Sequence, residues 1–168
     1  MPELVSPAVS DIVVPRSESS LMTILIQQAT TPAQIARCFP VMQQLRPHFE
    51  LASFLQQVAR QQEQGYRLAA IEDDGDVRAV AGYRVIENLA WGRFLYVDDL
   101  VTDDAARSNG WGGRLLDWLL ETARAEGCQQ FHLDSGVQRF EAHRFYLLKR
   151  MQITCHHFAL KLDSAGGE

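Results

Sequence analysis

Several things are scarce in this chain, and each scarcity excludes something. There are only three cysteines, Cys38, Cys128 and Cys155, with no CxxC pair. An odd, dispersed set argues against a disulfide framework and fits a reducing compartment, so a cytoplasmic location is expected. The five histidines include the neighbours His156 and His157, but no HExxH or comparable spacing occurs, and no metal is expected. Basic residues are outnumbered, 16 against 21 acidic, for a net charge of −5. No basic face of the kind nucleic acid demands is expected. No apolar run approaches the ~20 residues of a membrane helix, so no membrane partner is expected. The first residues lack a basic start with an apolar core and do not read as a secretory signal. Proline vanishes after Pro47, and glycine is thin except for one cluster, Gly110, Gly112 and Gly113.

What is present is ordinary globular composition: 168 residues, 46% hydrophobic and 22% charged, enough for one domain with a buried core. Residues 1–21, with Pro2, Pro7, Pro15 and five serines, read as an irregular arm. Residues 22–162 read as a single domain, and 163–168 as a flexible tail. The acidic balance mildly suits a cationic or amine ligand.

Between the ends the pattern alternates. Met22–Ala29 is a β-branched apolar run, the first expected strand. Thr30 and Thr31 cap a helix that begins at Pro32, and Pro40 is expected to break or kink it near Phe39. A second helix carries Leu51, Phe54, Leu55 and Val58 on one stripe and ends at Gly65. Strands follow on either side of Asp74-Gly75, a strong hairpin signal, and a third comes after a turn at Trp91-Gly92. Trp111, Leu115, Trp118 and Leu119 recur at helical spacing, and Gly127 ends that helix. A short strand has Phe131 and Leu133 on one side and His132 and Asp134 on the other. A second amphipathic helix, RFEAHRFYLLKR, leads to MQITCHHFALKL, expected to close the chain as a strand. One mixed sheet flanked by helices accommodates this order.

The glycine cluster gives Arg107-Ser108-Asn109-Gly110-Trp111-Gly112 the form R-x-x-G-x-G, followed by Gly113, directly after a strand and at the start of a helix. Glycines let successive N–H groups converge on an anion, the helix N-terminus adds its positive end, and Arg107 adds a charge. A pyrophosphate fits such a cradle. Alone, the cluster fits a structural turn equally. Neither a G-x-x-x-x-G-K-[ST] loop nor a dinucleotide fingerprint is present. A second feature lies on the next helix, where Tyr146 follows Phe145. A phenol titrating near 10 matches a leaving thiolate in basicity and suits a general acid.

DDLVT ending a strand, R-x-x-G-x-G opening a helix, and A-x-x-F-Y on a later helix resemble the GNAT (GCN5-related) N-acetyltransferase superfamily, across roughly Met22 to Leu162. The C-terminal stretch resembles a bacterial branch of it. The resemblance implies an α/β (α+β) fold, with a mixed, mostly antiparallel sheet of six to seven strands flanked by about four helices. It implies an N-acetyltransferase that passes an acetyl group from acetyl-coenzyme A to a primary amine in a ternary complex. It assigns Leu100, Val101 and Thr102 to the pantetheine arm, and Arg107, Ser108, Asn109, Gly110, Trp111, Gly112 and Gly113 to the pyrophosphate. A splay in the strand before the loop would free an N–H for the thioester carbonyl. Tyr146 is implied as the general acid and Asp99 as the base. Glu87 and His132 are further candidates for the base, and a regular strand turns Asp98 to the opposite face. Three positions depart from the pattern. Ser108 stands where glycine is frequent. Arg139 stands where many relatives have an asparagine that reaches the pantetheine, and its charge suits a phosphate or an acceptor carboxylate. Arg150 stands where many have glycine at the turn into the last strand. The alternatives are a non-catalytic acyl-coenzyme A-binding module and a nucleotide-binding regulator. A homodimer through the arm or the last strand is a further option.

Overall fold

The computed structural model describes residues 24–162 and divides at Leu133 and Asp134 into two units. The arm and the tail, with Met22 and Thr23, lie outside the described residues. In the first unit β1 (Ile24–Gln28) leads to α1 (Pro32–Leu45) and α2 (Leu51–Gln62). These are followed by β2 (Tyr66–Asp73), β3 (Asp76–Asn88) and β4 (Gly92–Thr102), a 3₁₀ turn at Asp104–Ala106, α3 (Trp111–Ala125) and β5 (Gln130–Leu133). The strands form one sheet in the order β1-β2-β3-β4-β5. The first four are antiparallel, and β5 joins β4 in parallel.

Local sequence explains most of these elements. Thr31 and Gln34 form a reciprocal capping box, Thr31 Oγ1 accepting from the Gln34 amide at 3.3 Å and Gln34 Oε1 from the Thr31 amide at 3.0 Å. Pro40 does not end α1, contrary to expectation; the helix runs on to Leu45. Pro40 is on the exposed side, whereas Ile35, Cys38, Val41 and Met42 are buried on either side of it in sequence. Packing of those side chains offsets the lost main-chain hydrogen bond. Asp74 (φ 53°) and Gly75 (φ 82°) both adopt the left-handed conformation that a two-residue hairpin requires.

Successive β2 side chains are buried on both sides of the sheet, as alternation demands when both faces are covered. Ala69 and Ile71 join Ala81, Tyr83, Leu95 and the α3 stripe of Trp111, Leu115, Trp118 and Leu119. Leu68 and Ala70 join Val80, Val101 and the apolar faces of α1 and α2. Tyr83 meets Trp118 edge to face, ring centroids 6.2 Å apart.

The second unit holds α4 (Phe140–Leu148). The expected closing strand is not formed: residues 151–162 carry no regular structure. Among the described residues the sheet therefore has five strands, fewer than expected. The alternation in MQITCHHFALKL is strand-like, but a strand exists only where a ladder partner satisfies its backbone. Ile153, Phe158, Leu160 and Leu162 are correspondingly exposed.

Candidate active site

The site grows from one irregularity in β4. Gly82 of β3 pairs with Asp99, but Tyr83 pairs with Val97, so Asp98 is an extra residue opposite no partner. Such a bulge bends its strand and takes the extra residue out of the ladder. The parallel pairing of β4 with β5 ends at the bulge, its last pair being Val97 with Leu133. Beyond it, Leu100, Val101 and Thr102 pair with Ala81, Val80 and Ala79 of β3. On the β5 side, no strand among the described residues continues alongside them.

The strand is not regular here, so the condition under which Asp98 would turn to the face opposite Asp99 is not met. Arg84 holds Asp98 through Nε to Oδ2 at 2.9 Å and Nη2 to Oδ1 at 3.0 Å. The same guanidinium lies 5.9 Å from the centroid of the Tyr66 ring. Tyr66 donates its hydroxyl to Asp99 Oδ2 at 3.1 Å. Arg46, at the end of α1, donates Nε to Asp99 Oδ1 at 2.8 Å and reaches the Asp98 carbonyl with Nη2 at 3.4 Å. Both carboxylates thus belong to one cluster with Tyr66, Arg84 and Arg46. Burial pushes the Tyr66 phenol well above its ordinary range, and the Asp99 charge pushes it further. Burial also raises Asp98, and the Arg84 hydrogen bonds pull it back only in part.

The glycine loop opens α3 as its spacing predicts. Ser108 (φ 67°) and Gly110 (φ 79°) are left-handed, and Gly110 is the N-cap. No side chain caps the helix, so its first-turn amides are left for another acceptor. A Cβ on Gly112 would lie 2.8 Å from Thr102 Oγ1, so the helix start approaches β4 as closely as glycine permits. Trp111 is buried and anchors the turn, while residues 107–110 are exposed. Asn109 donates Nδ2 to the Ala106 carbonyl at 3.3 Å, which tightens the loop. Arg107 Nη2 pairs with Asp104 Oδ1 at 2.5 Å, an exposed ion pair that the motif does not reveal.

In the second unit, Tyr146 lies in the last turns of α4 and Arg139 is the N-cap. Burial raises the phenol above its usual range, and the positive charge of Arg139 draws it back. Arg139 is thus a neighbour of the proposed acid. Of the other candidates for the base, Glu87 is exposed on β3. His132 stacks on Trp91 with ring centroids 4.2 Å apart and meets Gln130 Oε1 at 2.8 Å.

Sequence reasoning missed Tyr66, Arg84 and Arg46. They come from β2, β3 and the end of α1, and no spacing links them to DDLVT. The one legible trace was Gly82 within a strand, which often marks a bulge or a close approach. Here it marks both, since a Cβ at Gly82 would sit 1.9 Å from the Tyr66 hydroxyl.

Comparisons with known proteins bear on the family and the fold. The family described as Acetyltransferase (GNAT) family matches residues 26–150. An uncharacterized N-acetyltransferase, YhdJ, of Bacillus subtilis (strain 168) is 36% identical over 124 residues, covering 73% of this chain and 87% of the relative. Among solved structures, aminoglycoside N-acetyltransferase AAC(6')-Iy in complex with CoA superposes with a TM-score of 0.73 at 13% identity, covering 90% of this chain and 100% of the other. Glucosamine-6-phosphate N-acetyltransferase from Arabidopsis thaliana gives 0.68 at 19% identity, covering 84% and 99%. At these identities the two structures establish the fold alone. The family match extends over most of the chain, from β1 to the second residue past α4, and takes in the bulged β4 strand, the uncapped glycine loop and Tyr146: the chain belongs to the GNAT acetyltransferase family.

Proposed function

We propose that the protein is an acetyl-coenzyme A-dependent N-acetyltransferase acting on a primary amine by direct attack within a ternary complex. The observation that carries this reading is the pairing of an uncapped, glycine-opened α3 with a β4 strand whose β5 side has no strand alongside it past Val97 among the described residues. The first suits a diphosphate, and the second suits an extended amide-bearing chain that hydrogen-bonds like an added strand. The tight Gly112–Thr102 approach seats the start of α3 directly against β4, so the glycine loop lies beside that strand.

In this reading Leu100, Val101 and Thr102 offer their main chain to the pantetheine arm. Residues Arg107 to Gly113 hold the diphosphate, with Arg107 exchanging Asp104 for phosphate oxygens. Arg139, beside Tyr146, adds positive charge for the cosubstrate. Acetyl-coenzyme A supplies an acyl thioester, whose carbonyl carbon is the electrophile. An N–H released by the Asp98 bulge is the donor for the thioester oxygen, a contribution worth a few kcal/mol in acyl transfer. Asp99 takes the proton that the amine must lose to attack. The new C–N bond forms as the C–S bond breaks, and Tyr146 gives its proton to the departing thiolate. A phenol whose titration is raised by burial stays protonated at neutral pH, as an acid must.

Asp99 has both oxygens engaged, so the amine must take one over. Arg46 is the displaceable partner, its side chain 45% exposed, whereas Tyr66 is buried. The test is thiol release from acetyl-coenzyme A across a panel of small amines, aminoglycosides and peptide amines. Acceptor-dependent release with formation of the N-acetyl product supports the reading. Tight coenzyme A binding without release from any acceptor favours a non-catalytic acyl-coenzyme A-binding module.

A further inference from the structure

We infer that Tyr66 is the positioning residue for Asp99: it fixes Oδ2 so that Oδ1 faces the incoming amine. The inference deepens the reading of Asp99 as the base and rests on it.

The two oxygens of Asp99 are held differently. Oδ2 takes a hydrogen bond at 3.1 Å from a phenol only 4% exposed. Oδ1 takes its bonds from Arg46, the C-cap residue just past α1 and nearly half exposed. A partner locked by packing stays in place when substrate arrives, and a solvated guanidinium at a helix end can swing aside at small cost. The phenol is locked because its oxygen lies over Gly82, where even a methyl group would collide with it. The Arg84 guanidinium sits over the ring from β3. Gly82 is also the residue paired with Asp99 across the ladder. One strand therefore supplies both the hole that seats the phenol and the register that places the carboxylate against it.

The groups around Asp99 are the Tyr66 phenol from β2, Arg46 from the end of α1 and Asp98 on its own strand, with Arg84 from β3 held to Asp98 and over the Tyr66 ring. Of these, Tyr66 is neutral, so its removal takes away a hydrogen bond without changing the local charge. Loss of a hydrogen bond to the ionised form makes a carboxylate easier to protonate and frees its rotamer. Both effects fall on turnover, and neither touches the glycine loop.

Tyr66→Phe is expected to lower kcat about tenfold and to move the acid limb of the kcat/KM profile up by about one pH unit. Coenzyme A affinity stays within about twofold. Gly82→Ala leaves every charged and hydroxyl group in place but pushes the phenol off its seat, and is expected to move the acid limb in the same direction. A fall in kcat with an unmoved limb in whichever variant is folded by circular dichroism means that Tyr66 only packs, and overturns the inference. Asp99→Asn separates the two levels. Full turnover in Asp99→Asn removes Asp99 as the base. Lost turnover there, with an unmoved limb in the Tyr66 and Gly82 variants, removes the positioning role alone.

Discussion

Arg84 grips Asp98 with two parallel hydrogen bonds, 2.9 and 3.0 Å, on the residue that makes β4 bulge. The pair is side-on to solvent, with the Arg84 side chain 28% and the Asp98 side chain 20% exposed, so it is only partly screened. Asp98 titrates above its ordinary range because burial outweighs what Arg84 returns. A carboxylic acid raised in the folded state favours folding below its unfolded titration range, near 4, and that contribution is lost as the pH rises through the folded value. Removing Arg84 raises Asp98 further. Arg84→Met is therefore expected to cost about 2 kcal/mol at pH 7 and less as the pH falls and the acid takes up its proton. Urea denaturation at pH 7 and at lower pH checks the sign.

Tyr146→Phe is expected to lower kcat by ~10²–10⁴-fold with little change in coenzyme A affinity, as loss of a general acid requires. Arg139→Gln removes the positive charge that lowers the phenol's titration. The basic limb of the kcat/KM profile should then move to higher pH. Steady-state rates from pH 6 to 11 read both effects, and unchanged turnover in Tyr146→Phe removes the phenol from the mechanism.

Gly112→Val places branched methyl groups where a Cβ already meets Thr102 Oγ1 at 2.8 Å. Coenzyme A affinity should fall by about tenfold or more, since the helix-end amides need close approach by the anion. Titration calorimetry measures the loss. Retained affinity in the folded variant excludes the cradle.

Two helices end alike, with different residues. At α3 the Gly127 amide bonds to Arg124 and the Cys128 amide to Ala123, with Gly127 at φ 71°. At α4 the Arg150 amide bonds to Leu147 and the Met151 amide to Tyr146, with Arg150 at φ 63°. The tight turn thus forms without glycine, at the cost of holding an arginine left-handed. Arg150→Gly should stabilise the protein by about 1 kcal/mol, with turnover retained, by chemical denaturation. A destabilised variant would show that the arginine side chain contributes more than its backbone costs.

Cys38 is 1% exposed, and burial pushes its thiol up to about 12. Cys155 is exposed in the stretch without regular structure. Iodoacetamide at pH 8 should label Cys155 in the native protein and leave Cys38 untouched until denaturant is added. Protection of Cys155 would mean that residues 151–162 are covered in solution.

The local devices were legible because each is decided within a few residues. Thr31, Pro32 and Gln34 specify a helix start, Asp74-Gly75 a two-residue hairpin, Gly127 a helix stop, and the Trp111–Leu119 stripe a face to bury. Pro40 misled because its neighbours Val41 and Met42 bury against the sheet, an energy that no local rule counts. MQITCHHFALKL misled for the opposite reason, since alternation states a preference and a ladder partner decides it.

The sequence alone determined the family, the order of elements as far as α4, and the glycine loop that opens α3, because motif and periodicity are properties of neighbouring residues. The tertiary structure decided how the carboxylates are used. One inserted residue in β4 breaks the alternation that assigns faces, and it gathers Asp98 and Asp99 with Tyr66, Arg84 and Arg46. Those partners are brought together by strand register and by the end of a helix, and register is set by pairing between segments far apart in the chain.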